Sequence, residues 1–201
     1  MLATLTRSDY EGYLIRLYFG KGDYLNLCID CAYLDFSRAL HGIASIGAKP
    51  REKATSALRS ALGNLGNGKP TVDSQDAFDD WHRDTCQTLA TVFSDNGYKS
   101  LFVGQAQKWI NMAFKYIFTM GESRVQGFAG FYGYCHAPID NVVLRALKKH
   151  GFPGLPCSWS QLDDYGVYLE CQEWIRRRFR ILPPMDVEFR LWMGEDLDVS
   201  T

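Results

Sequence analysis

The chain has 201 residues with 22 basic and 23 acidic side chains, a formal charge of −1 and a pI near 6.4. Gripping nucleic acid by charge alone calls for a basic excess, so any DNA contact here needs a local basic patch, helix N-terminal amides or a few placed lysines. With 46% hydrophobic and 14% aromatic residues the chain can bury a core without metal or disulfide staples, and 22% charged residues with no low-complexity tract exclude a disordered tail protein.

In chain order the periodicity is helical. A first run, residues 24–46, repeats Leu27, Cys28, Cys31, Leu34, Leu40 and Ile43 at three- and four-residue spacing and closes at Gly47 and Pro50. A more polar helix is expected over 51–62, followed by turn chemistry at Gly63–Pro70, the best internal break and a candidate boundary between two small lobes of one domain. Further helices are expected over 73–94, 105–120, 139–150 and 160–179, and the alternating tail 186–193 suits a strand or a short helix. The fold class is all-α. No apolar run is long enough to span a bilayer and no signal peptide is seen, so the cytoplasm is the expected location. The six cysteines lack a second Cys-x-x-Cys or zinc-spaced Cys/His pair, so all read as buried, reduced, structural thiols, and no metal or organic cofactor is implied.

The helix over 105–120 is apolar nearly all round, and its polar residues Lys108, Asn111, Lys115 and Thr119 fall three, four and four apart on one stripe. Such a stripe on a buried helix means snorkelling stems or a wet cleft. Lys108 lies in the first turn, where the positive end of the dipole disfavours an added positive charge, a setting that suits an amine nucleophile. Asp140 precedes the apolar run of the next helix and reads as its N-cap, a role compatible with stabilising a developing cation.

Phe102-Val-Gly-Gln-Ala-Gln-Lys108 resembles the hairpin Leu-Pro-Gly-Val-Gly-x-Lys of the helix-hairpin-helix DNA glycosylases, and Pro138-Ile-Asp140-Asn-Val-Val resembles that superfamily's Pro-Val-Asp-x-x-Val. Gly104 matches the first glycine, Lys108 the lysine of members that also cleave the strand, and Asp140 the essential aspartate. Val103 replaces the proline and Ala106 the second glycine, adding a Cβ where amides approach a phosphate. The interval of 32 residues is similar to the archaeal 8-oxoguanine branch, where an insertion separates the two motifs.

The resemblance implies a monomeric helical glycosylase acting on double-stranded DNA that contains a modified base, in host repair or in antiviral defence. Its substrate would be an oxidised purine such as 8-oxoguanine, or a bulky modified cytosine of the phage type. The base would be flipped into a pocket, with Lys108 attacking C1′ and Asp140 stabilising the sugar cation; associated strand cleavage is left open. Phe131 and Tyr132, with Phe128 and Tyr134 in the glycine-rich stretch 121–137, suit either a base-sandwiching loop or a loop packed on the core. His136 and Trp159 are further candidates for contact with substrate, and the Asp163-Asp164-Tyr165 group for lining the cleft. Gly104 and Gln105 at the hairpin, and Arg176 and Arg177 in the basic cluster 176–180, are candidate DNA contacts, with Lys148 and Lys149 open to the same reading. Two alternatives stand beside this one: a non-enzymatic helical binding or regulatory module, and a HEPN-type ribonuclease using Arg145 and His150, which satisfy its Arg-x4-His spacing.

Overall fold

In a computed structural model that describes residues 4–43, 47–98, 101–195 and 197, the chain runs through α1 (Arg7–Phe19), α2 (Tyr24–Ser37), α3 (Lys49–Gly66), α4 (Gln75–Asp95), α5 (Val103–Met120), α6 (Asn141–Lys149), α7 (Tyr165–Arg178) and α8 (Pro184–Trp192). Short 3-10 turns occupy Ala129–Phe131 and Trp159–Gln161, and no strand occurs among the described residues. The protein is all-α, and the alternating tail is a helix.

Fourteen of the 18 residues of α5 are buried, so neighbours enclose it on nearly every side. Its longest contact is with α2, where Trp109 stacks on Phe36 with ring centroids 5.0 Å apart and donates from Nε1 to the Ile29 carbonyl at 3.0 Å. The α2 helix ends at Ser37, short of the expected 46; residues 44–46 lie outside the described residues. The α3 helix runs through Gly63 to Gly66, because Leu62 and Leu65 bury against the core and hold the turn together.

Two apolar clusters form, and they part between Cys135 and Ala137 rather than near residues 63–70. The first gathers α2–α5 and Phe128; the second gathers α6, α7 and Val187 of α8. Met185, two residues earlier on α8, belongs to the first cluster, so α8 straddles both.

Of the cysteines, Cys28, Cys86, Cys135 and Cys171 are buried, and burial pushes the Cys28 and Cys171 thiols up to about 12, beyond reactivity. Cys31 is half-buried and Cys157 is exposed, because Cys157 sits in the Gly/Pro loop after α6 rather than on an apolar helix face.

Candidate active site

Lys108 projects from the second turn of α5 and Asp140 caps α6. Their side chains meet, with Lys108 Nζ donating to Asp140 Oδ2 at 2.5 Å, and both are largely withdrawn from solvent. The other carboxylate oxygen, Oδ1, accepts the Val142 and Val143 amides at 2.8 and 2.9 Å. Capping therefore fixes the carboxylate while leaving one oxygen for the lysine.

The segment that delivers Asp140 is extended and has no strand partner. Two buried glutamines take that place. Gln107 of α5 accepts from the Ile139 amide at 3.2 Å and donates to the Ile139 carbonyl at 2.8 Å; Gln172 of α7 does the same at Ala137, at 3.0 and 2.8 Å. Each side-chain amide imitates a neighbouring strand, and together they zip residues 137–139 between α5 and α7. Nothing in the local sequence marks these glutamines, since their partners lie 32 and 35 residues away.

The Lys108–Asp140 pair opens into a cleft of about 560 Å³ that also receives Met112, Lys115, Trp159, Glu188, Phe189 and Trp192. Lys115, two turns along α5 from Lys108, donates to Glu188 Oε1 at 2.7 Å. Glu188 Oε2 is buried without a hydrogen-bond partner, and burial raises the carboxyl above its usual range against the opposing pull of Lys115. A buried unsatisfied acceptor costs about 1–3 kcal/mol unless something donates to it. Trp192 and Met193 are exposed at the mouth, with Trp192 and Phe189 within cation–π range of Lys115. The cleft thus has a charged floor, and its mouth carries apolar side chains beside the exposed Arg38. The polar stripe of α5 pointed to Lys115; Glu188 was hidden in the alternation of Val187, Phe189 and Leu191.

Of the other expected residues, only Trp159 lines this cleft. His136 is fully buried in the core, where Nε2 donates to Asp79 Oδ1 at 2.8 Å and Nδ1 accepts from Tyr168 Oη at 2.9 Å, so it holds structure rather than substrate. Phe131 and Tyr132 pack on the first cluster, where Tyr132 sits edge-on against Phe118 and its hydroxyl bonds to Asp186. The loop carrying them is held closed by Glu122, whose two oxygens accept the Gly127 and Ala129 amides, and by Phe128 in the core.

Gly104 and Gln105 are buried and unavailable to DNA. The Gly104 amide donates to the Leu162 carbonyl at 2.8 Å, and a Cβ there would stand 1.6 Å from the Trp159 carbonyl oxygen. Gln105 turns inward to the Ala39 carbonyl and the Phe102 amide. Glycine at 104 is required by the close approach of the 159–162 segment, which roofs the start of α5. Arg176 clamps the carbonyls of Gly133, Tyr134 and Cys135, while Arg177 is exposed in an i,i+4 pair with Glu173 at 3.1 Å. Asp163, Asp164 and Tyr165 border a different hollow, beside Arg83 and Cys86. Arg145 is exposed on α6, and His150, past its end, packs on Phe179.

No protein-family model, curated protein or solved structure matches this chain.

Proposed function

We propose that the protein is a DNA glycosylase of helix-hairpin-helix type that excises an oxidised guanine through Lys108 and Asp140. The observation that carries the reading is the Lys108–Asp140 contact inside a cleft large enough for a nucleobase, bounded two helical turns further along α5 by Lys115 and Glu188. Seven residues of helix span about 10.5 Å, a distance suited to a nucleoside whose sugar lies at Lys108 and whose base edge lies at Lys115.

A flipped base presents its Watson–Crick edge to the pocket. Guanine offers an oxygen acceptor beside N–H donors, which complements the Lys115 ammonium beside the unpartnered Glu188 Oε2. Trp159, Met112 and Trp192 supply the flat and apolar surfaces between which a base can stack.

In the reaction Asp140 accepts a proton from the Lys108 ammonium, and the freed amine attacks C1′. The C1′–N bond breaks with its electron pair leaving on the base, which Lys115 steadies; the departing base takes up the proton that Asp140 holds, so that Asp140 is again a carboxylate. The new secondary ammonium gives a proton to that carboxylate, which passes it to O4′ as the C1′–O4′ bond opens; this leaves a Schiff base on Lys108, and water hydrolyses it to return the amine. In its carboxylate form Asp140, held by two amides and by Gln107 acting through Ile139, stabilises positive charge at the sugar.

Borohydride trapping on duplexes carrying 8-oxoguanine, uracil, glucosylated hydroxymethylcytosine or an abasic site tests this. The expected result is an adduct on the 8-oxoguanine and abasic duplexes that Lys108→Gln abolishes, with base release lost in Asp140→Asn. Alkali-labile sites without an adduct would remove Lys108 from the nucleophile's role. An adduct confined to the glucosylated cytosine duplex would overturn the guanine assignment. No reaction on any duplex would turn the reading toward a binding module.

A further inference from the structure

If the cleft excises a base, the strand around that base must be held, and the motif expected to hold it is closed. Amides at both helix N-termini of the site are already bonded within the chain: Gly104 donates to Leu162, and Val142 and Val143 donate to Asp140. The segment 159–162 also lies over the start of α5, so no phosphate can reach the amides there.

A second groove, of about 240 Å³, begins where the cleft ends. Its floor is apolar, with Leu144, Phe152 and Leu155, and its rim carries Asn141, Arg145 and Lys148 of α6 and Cys157, Ser158 and Trp159 of the loop that follows. Trp159 is shared between groove and cleft, and Asn141 is next in the chain to Asp140. Residues 141, 145 and 148 lie on one side of a helix because they are four and three apart. From 141 to 162 the chain carries no aspartate or glutamate, while Arg145, Lys148 and Lys149 are basic. Neither Arg145 nor Lys148 forms an ion pair with a carboxylate among the described residues, although most other arginines of the chain do so or bond to backbone. In a protein of net charge −1, this acid-free face adjoining the site is a local field of one sign.

We infer that this groove binds the DNA backbone beside the extruded nucleotide, with Arg145 and Lys148 on consecutive phosphates of one strand. The inference rests on the glycosylase reading and assigns the phosphate grip to α6 in place of the hairpin. A rise of about 4.5 Å between the two side chains' positions, together with their reach, suits neighbouring phosphates. Trp159 would then mark the point where the strand passes from the groove to the cleft.

The test is fluorescence anisotropy of the full chain on a short duplex carrying a tetrahydrofuran abasic analogue, which no amine can trap, over a series of salt concentrations. Arg145→Ala/Lys148→Ala should lower the slope of log K against log [salt] by about 2, since each lost phosphate contact removes about 0.9. It should also weaken binding by about tenfold or more at physiological salt. Lys149→Ala removes one positive charge outside the groove and should move the slope by much less than the about 0.9 that one lost phosphate contact would remove. Duplex should slow alkylation of the exposed Cys157 by iodoacetamide several-fold. All three residues are exposed, so circular dichroism of the variants should match the parent. An unchanged slope in the double variant, a loss of about 0.9 in Lys149→Ala, or Cys157 reacting at the same rate with and without duplex would each overturn the groove. The Lys108 adduct on 8-oxoguanine duplex, measured alongside, separates the two readings: if it persists, only the groove falls. If the parent chain fails to bind the duplex even at low salt, both fall.

Discussion

Asp140 divides its carboxylate between a helix and a lysine, and that division depends on a residue that touches neither. Gln107 bonds both the amide and the carbonyl of Ile139, fixing the approach of the next residue to Lys108. Gln107→Leu would leave those two backbone groups buried and unpaired, at a cost of about 2–4 kcal/mol. On the proposed glycosylase reading the sharper expectation is kinetic: kcat on the 8-oxoguanine duplex should fall about tenfold to a hundredfold with KM little changed, because a misplaced carboxylate weakens the transition state more than binding. Gln107→Glu, which can still accept from Ile139 but not donate to it, should fall between the two. A purely structural role would lower Tm and leave the kcat of the folded fraction intact. A second residue-scale prediction comes from His82 and His136, both buried, with ring centroids 4.8 Å apart and both held neutral chiefly by burial. Their folded pKa values are depressed, so the unfolded chain binds protons that the folded chain refuses. Stability should therefore be full above the ordinary histidine range and fall as pH drops through about 6.5, by up to about 1.4 kcal/mol per pH unit for each ring. Tm measured between pH 7.5 and 5 checks this; a flat profile would show that neither ring resists protonation.

Elements carry different amounts of the fold, and the sequence shows this unevenly. The α5 helix was legible from its apolar sweep and polar stripe, and α4 and α7 from their periodicity, because each buries a face against several neighbours. The α1 helix was not read: it buries no residue, and Tyr10, Tyr13, Leu14, Leu17 and Tyr18 face solvent, so its pattern reports no core. Its one local signal is the capping box of Thr6 with Asp9. Lys108 and Asp140 could be found because each stands in a helical motif. Gln107, Gln172 and Glu188 could not, since their partners lie 32 to 73 residues away and only packing reveals them. His136 and Arg176 are likewise beyond local reading, because long-range bonds to Asp79 and to the carbonyls at 133–135 absorb them. The contrast between elements can be measured. Gly104→Ala forces the 159–162 turn off α5 and should cost several kcal/mol, with loss of trapping as Trp159 shifts. Leu14→Lys/Leu17→Glu on α1 should leave Tm within about 2 °C of the parent.

At the scale of the whole molecule, the cleft lies along the seam between the two apolar clusters, with Lys108 and Lys115 from the first cluster's central helix and Asp140 and Glu188 from the two helices that close over it. The α8 helix joins the halves by placing Met185 in one cluster and Val187 in the other, which sets Glu188 across from Lys115. In the glycosylase reading proposed above, this arrangement would separate two tasks: the Lys108–Asp140 end would act on the sugar, common to every nucleotide, and the Lys115–Glu188 end would meet the base. Glu188→Gln tests that separation. Its amide can keep an oxygen toward Lys115 but turns the free acceptor into an N–H₂ donor, which then opposes the N–H edge of guanine. Excision of 8-oxoguanine should fall by about 10²–10⁴ in kcat/KM, as expected when a buried polar match is lost. Trapping on a preformed abasic site, which has no base to recognise, should stay within about twofold. In the parent, 8-oxoguanine excision should also decline on the acid side at a pH above the usual glutamate range, because burial raises Glu188 and only the carboxylate accepts; the abasic reaction should lack that limb. Equal losses on the two substrates would show that Glu188 supports the fold or the lysine pair rather than the choice of base.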